Sequence, residues 1–168
     1  MGYVIAACRR RLFAWLLAGV LIGAAGLLSA ASAADPTPYP GVRTIATSHP
    51  FERLVERLEA AVATNQMGLV AQASASRGAS ARGIKIPGNA VLMVFRNDFA
   101  VRMLAVSVPA GIEAPIRFYV TENTDGTASL TYRAPTAIFA PYKNAQLDEL
   151  ARELDPIFEK IARDATGG

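Results

Sequence analysis

Cysteine and histidine are nearly missing from this chain: Cys8 and His49 are the only ones. Cys8 lies ahead of an apolar run with export character, so the chain beyond that run has no disulfide, no thiol chemistry and no thiolate metal site. No cysteine follows the run, which excludes a lipoprotein anchor. With one histidine, no H-x-x-H pair and no Asp-x-Asp loop, the sequence offers no metal site and implies no cofactor. There is no G-x-S-x-G elbow around Ser74, Ser76 or Ser80 and no second histidine as base, so a triad hydrolase is not supported. Gly78, Gly83 and Gly88 form no phosphate loop, because no Gly-Lys-Ser/Thr is present.

A charge excess is missing too. Of 17 Lys and Arg, three are Arg9, Arg10 and Arg11, and the 14 that remain equal the 14 Asp and Glu, all of which lie after residue 34. The basic balance therefore belongs to the first segment, and a global electrostatic case for nucleic acid or an anionic membrane fails.

What is present at the front is an apolar stretch, residues 12–34, led by those arginines and closing on Ala31-Ser32-Ala33. A basic start, an apolar centre and a small-residue exit describe a signal peptide over residues 1–34, cleaved near Ala33-Ala34. The expected location is then the periplasm or the exterior. An uncleaved anchor is the rival, and would be the chain's only link to a membrane. Arg10-Arg11-Leu12-Phe13 is also compatible with a twin-arginine route beside the general one. Residues 35–41, DPTPYPG, read as an extended, mobile proline-rich tether, and residues 42–166 as a single domain.

The stretch Pro115–Pro135 organises that domain. It is a hairpin whose apolar sets are Ile116, Phe118, Val120 and Leu130, Tyr132. A two-residue Asp-Gly loop would oppose Val120 to Thr131. A three-residue loop, Thr124-Asp125-Gly126, opposes Val120 to Leu130 and Phe118 to Tyr132, which keeps one face apolar. A type I turn from Asn123 follows, with Gly126 at positive φ as a bulge.

Val42–Thr47 reads as a strand with Val42, Thr44 and Ala46 on one side. The stripe Phe51, Leu54, Val55, Leu58, Val62 predicts a helix that starts at Pro50 and ends at Gly68 as its left-handed residue. His49 is expected at its cap or nearby surface. Leu69–Ala73 is a candidate strand, and residues 74–89 a loop with at most one helical turn. Ala90–Phe95 is apolar without alternation, which predicts burial on both faces. Asn97 or Asp98 is expected to cap a short helix carrying Phe99, Met103 and Val106. A last helix, capped by Asn144, carries Leu147, Leu150, Leu154, Ile157, Phe158 and Ile161 in phase across Pro156, where a kink is expected. The fold class is α+β: a mostly antiparallel sheet with two helices on one face, in β-α-β-β-β-β-α order.

Several of these segments, in this order, resemble the domain of unknown function 302 family. They are Ser48-x-x-Phe51-Glu52, the strand Val91–Phe95 followed by Asn97, Ala114-Pro115, Asp125-Gly126, and Tyr132-Arg133-Ala134-Pro135. The resemblance implies a TATA-binding-protein-like topology and pairing as a homodimer, and no settled activity. The family's Asp-His pair falls near Ser74 and Ala75, and its Gly-Asn-Pro falls on Arg96-Asn97-Asp98. A family role for that histidine in metal binding or proton transfer is therefore not available here.

Two sets of residues stand out as sites. Arg77, Arg82, Lys85, Arg96 and Arg102 crowd one region against the single acid Asp98, and with Asn97 they are candidates for binding a small anion. The alternatives are scattered surface cations, or an enzyme acting on an anionic substrate through Arg96, Asn97 and Asp98. Carboxylate pairs such as Glu52 with Glu56 and Glu149 with Glu153 have the spacing of a solvated helix face. On the hairpin's polar side, Arg117, Tyr119, Thr131 and Arg133 are candidates for a homodimer face. The expected function is a non-catalytic module for a small apolar or anionic ligand or for a protein partner; a structural role beside an envelope protein is the other alternative.

Overall fold

The computed structural model describes residues 39–167. The expectations for the signal segment, and for the tether as far as residue 38, lie outside them. The described residues form one compact unit.

Five strands make one antiparallel sheet in the order β1-β5-β4-β3-β2: β1 Val42–Pro50, β2 Gly68–Ala73, β3 Asn89–Phe95, β4 Ile116–Glu122 and β5 Thr127–Arg133. Helices α1 Phe51–Thr64 and α5 Ala145–Thr166 pack together on one face, each through the apolar stripe read from the sequence. Between them and the sheet lies the core, where the rings of Phe118 and Phe158 stack at 5.1 Å. The α+β expectation is thus met.

The hairpin follows the predicted register, Phe118 against Tyr132 and Val120 against Leu130. Gly126 sits at φ +82° and its N–H donates to the Asn123 carbonyl at 3.1 Å, closing the turn. Asn144 caps α5 by accepting from the amides of Gln146 and Leu147.

Other details differ, each for a local reason. The left-handed residue after α1 is Gln66, at φ 58°, because the chain must turn early to bury Met67; Gly68 instead opens β2. β1 runs on to Pro50, so His49 is a strand residue and Pro50, lacking a capping side chain, stands at the cap of α1. The segment after β2 contains a full helix, α2 Ala75–Ser80, capped by the Ser74 hydroxyl. Helix α3, Asn97–Val106, has Arg96 rather than Asn97 or Asp98 at its cap position. Helix α4, Pro135–Phe139, was not legible in its five residues.

Helix α5 continues through Pro156. Just before the proline, the Asp155 carboxylate accepts from the amide and hydroxyl of Thr136 on α4. β3 is buried on one face only: Ala90, Leu92 and Val94 are fully covered, while Val91, Met93 and Phe95 stay half-buried on the open side of the sheet. Nothing among the described residues covers that side.

The end of the tether is docked rather than extended and mobile. Arg133 donates to the Pro40 carbonyl at 3.1 Å, and the Gly41 carbonyl accepts from the Ala134 amide at 2.9 Å.

Candidate ligand-binding cleft

β3 separates the predicted basic cluster into two groups. It is seven residues long, which puts its ends about 20 Å apart. At its far end, Arg96 lies 4.3 Å over the Phe99 ring and holds the Asp98 carboxylate at 2.8 Å. That hydrogen bond keeps the Asp98 carboxyl below its usual range, so it is a poor proton acceptor near neutrality. Asn97 is exposed beside them. Arg102 grips Glu153 through both guanidinium nitrogens, at 2.8 and 2.6 Å, and also faces Phe99. These cations tie α3 to its surroundings. The void behind them, edged by Met67, Phe99 and Phe158, is only about 30 Å³, room for about one water.

Arg77, Arg82 and Lys85 gather at the other end. Ser74 caps α2, and the Ser76 hydroxyl accepts from the Asn89 amide at 3.1 Å, which pins α2 against the start of β3. The turn after α2 then projects residues 81–87 into solvent beside the start of α1 and the tip of the hairpin. The space enclosed is a cleft of about 660 Å³. Its floor is Phe51, packed so closely on Gly88 that a Cβ there would stand 2.6 Å from the ring. Ile84 and Ile86 give it an apolar wall while remaining 49% and 40% exposed.

Its charges are two cations and two carboxylates. Arg77 is paired to Glu52 at 3.2 Å, and Glu122 accepts from the Gly88 amide at 2.6 Å. Among the described residues Lys85 forms no ion pair, leaving its ammonium available at the rim; Arg82 is likewise unpaired but does not line the cleft. Ser76 and Ser80 add hydroxyls but no histidine lines the space. No group of three or more His, Cys, Asp or Glu among the described residues is placed to hold a metal ion. The arrangement suits binding: an apolar wall, a fixed ion pair and a free cation. Phe51, Ile84, Ile86 and Glu122 went unremarked as site residues, because only the fold brings α1, the loop and the hairpin tip together.

The four hairpin residues lie together on the open face of the sheet. Thr131 is bonded to Thr44 at 3.0 Å, and Arg133 is held by its own chain through Pro40 and Ala137. Arg117 and Tyr119 remain exposed and uncommitted.

The Domain of unknown function DUF302 matches residues 43–165, from the second residue of β1 almost to the end of α5. The chain belongs to this family. A solved structure, the crystal structure of an uncharacterized conserved DUF302 protein from Bacillus stearothermophilus, superposes with a TM-score of 0.67 at 20% identity, covering 75% of this chain and 98% of that one. The likeness confirms the DUF302 fold. No curated protein matches the chain.

Proposed function

We propose that this DUF302 protein is a non-catalytic binding module, acting outside the cytoplasm as a homodimer, which takes up a small organic anion with an apolar portion. The observation that carries the reading is the cleft beside α2, where exposed Ile84 and Ile86 stand next to a Lys85 ammonium without an ion-pair partner. Its volume lies within the range of small-molecule sites. A carboxylate at Lys85 would gain a charge-assisted hydrogen bond while its hydrocarbon part shields the isoleucines. Arg77, already held by Glu52, would offer a second, positioned donor.

The test is calorimetric titration of residues 35–168 with straight-chain and aromatic carboxylates of increasing length. Saturable binding that tightens with apolar size and is lost in Lys85→Ala is expected. Lys85 is exposed, so the variant should melt like its parent. Binding of no carboxylate, or equal binding by Lys85→Ala, would overturn the assignment.

A further inference from the structure

The two edges of the sheet are finished differently. β1 carries Arg43, which is salt-bridged to Glu159, ends in His49-Pro50, and loses register between Ala46 and Pro50. Charge and proline are devices that keep an edge strand from accepting another. β2 has the sequence GLVAQA, with no charge and no proline. Its Leu69 and Val70 are 38% and 52% exposed, and no strand among the described residues pairs with its outer side.

We propose that a second copy of this chain docks here, β2 against β2 and antiparallel, so that two five-stranded sheets run on as one of ten. The proposal rests on the homodimer reading above and names its interface. A strand without charge can be set against itself without opposing like charges, and a two-fold axis normal to the sheet produces such a pairing.

The bulge supplies the register. Leu69 opposes Val94 and Gln72 opposes Leu92, so both point to the helical side; Gly68, Ala71 and Ala73 oppose Phe95, Met93 and Val91, on the open side. Directly opposed residues of antiparallel strands must share a face. An axis midway between Val70 and Ala71 uses all six residues and opposes Leu69 to Gln72 of the second copy, and Gly68 to its Ala73. Both of these pairs share a face. In a regular strand that central register would oppose residues from opposite faces, and only the irregularity between Leu69 and Ala71 removes the conflict. Moving the axis onto Val70 or Ala71 opposes Leu69 to an open-side residue.

The register sets Val70 against Ala71 of the second copy, which makes a charge swap the decisive experiment. Residues 35–168 are expected to be dimeric by light scattering, and Val70→Lys/Ala71→Lys and Val70→Glu/Ala71→Glu each monomeric. An equal mixture of the two variants should recover a heterodimer. Both positions are exposed, and circular dichroism melts would verify folding. In the unaltered protein, amide exchange across Gly68–Ala73 should slow as concentration rises through the dimerisation range, a readout that needs no variant. Dimers that survive both substitutions but not Tyr119→Asp would overturn the edge proposal and leave the homodimer standing on the open face. A mixture that stays monomeric would overturn the register and the proposal with it. A parent that is monomeric throughout would overturn both the edge and the homodimer reading.

Discussion

Replacing Gly41 by alanine tests how the chain is fastened where it enters the sheet. The residue stands at φ +73°, and an added Cβ would lie 2.2 Å from the Cβ of Ala137 on α4. Carbon atoms in contact prefer roughly 3.5–4.0 Å, so strand and helix must part by more than about 1 Å. Neither atom belongs to a flexible side chain that can swing away. The left-handed conformation costs an alanine about 1–2 kcal/mol, and overpacking costs about 1–3 kcal/mol, so a loss of roughly 2–5 kcal/mol is expected. For a domain of this size that is a fall in Tm of about 4 °C per kcal/mol. The companion Ala137→Gly removes the opposing methyl at a helix cost of about 1 kcal/mol. Urea unfolding of the two single variants and the double should reveal coupling: the double is expected to be about 1–3 kcal/mol more stable than the sum of the singles implies. Additivity within about 0.5 kcal/mol, or a nearly neutral Gly41→Ala, would refute the steric reasoning.

Three further outcomes follow from local geometry. Gly126→Ala should lose about 1 kcal/mol in denaturant titration, since φ is +82° with open space around it, whereas Gly126→Asn should lose less; a neutral alanine would contradict the bulged turn. Asn144→Ala should cost about 1–2 kcal/mol, and Asn144→Asp less, because aspartate still accepts from the helix amides and forfeits only the donation to the Val106 carbonyl. Arg102 holds the Glu153 carboxyl below its usual range, so the pair stabilises the fold above the ordinary carboxylate pKa and ceases to as pH falls through the lowered value. Arg102→Ala should therefore melt below its parent at pH 7, with the gap closing as the pH is taken below the lowered carboxyl value; a gap that does not change with pH would mean that packing on Phe99, not charge, is what Arg102 contributes.

The fold was legible wherever one face of an element is buried and its period is unbroken. Phe118, Val120, Leu130 and Tyr132 decided the hairpin register because any slip would expose them, and the stripes of α1 and α5 were read for the same reason. Short elements escaped: α4 holds too few residues to display a period, and the bonds that fasten it to α5, from Thr136 to the Asp155 carboxylate, join residues 19 apart in sequence. β3 looked buried on both faces, since an apolar run does not say whether its second cover comes from the same chain. The cationic cluster was compact in sequence and is divided in space, because a strand intervenes between Lys85 and Arg96. Lys85 and Arg77 were therefore recognisable as candidates, but the apolar wall and the carboxylates they share a cleft with were not.

The pairing of β1 with β5 has a kinetic consequence. Arg43 opposes Tyr132, 89 residues later, and Arg57 of α1 donates to the carbonyls of Asp164 and Ala165 at the very end of α5. The first strand and first helix thus find their partners only when nearly the whole chain exists. Contacts so distant in sequence make closure slow, because the loop entropy is lost before the contacts reward it. The β3-β4-β5 pairings are local, whereas the β1 edge and the docking of α1 on α5 wait for residues 127–166.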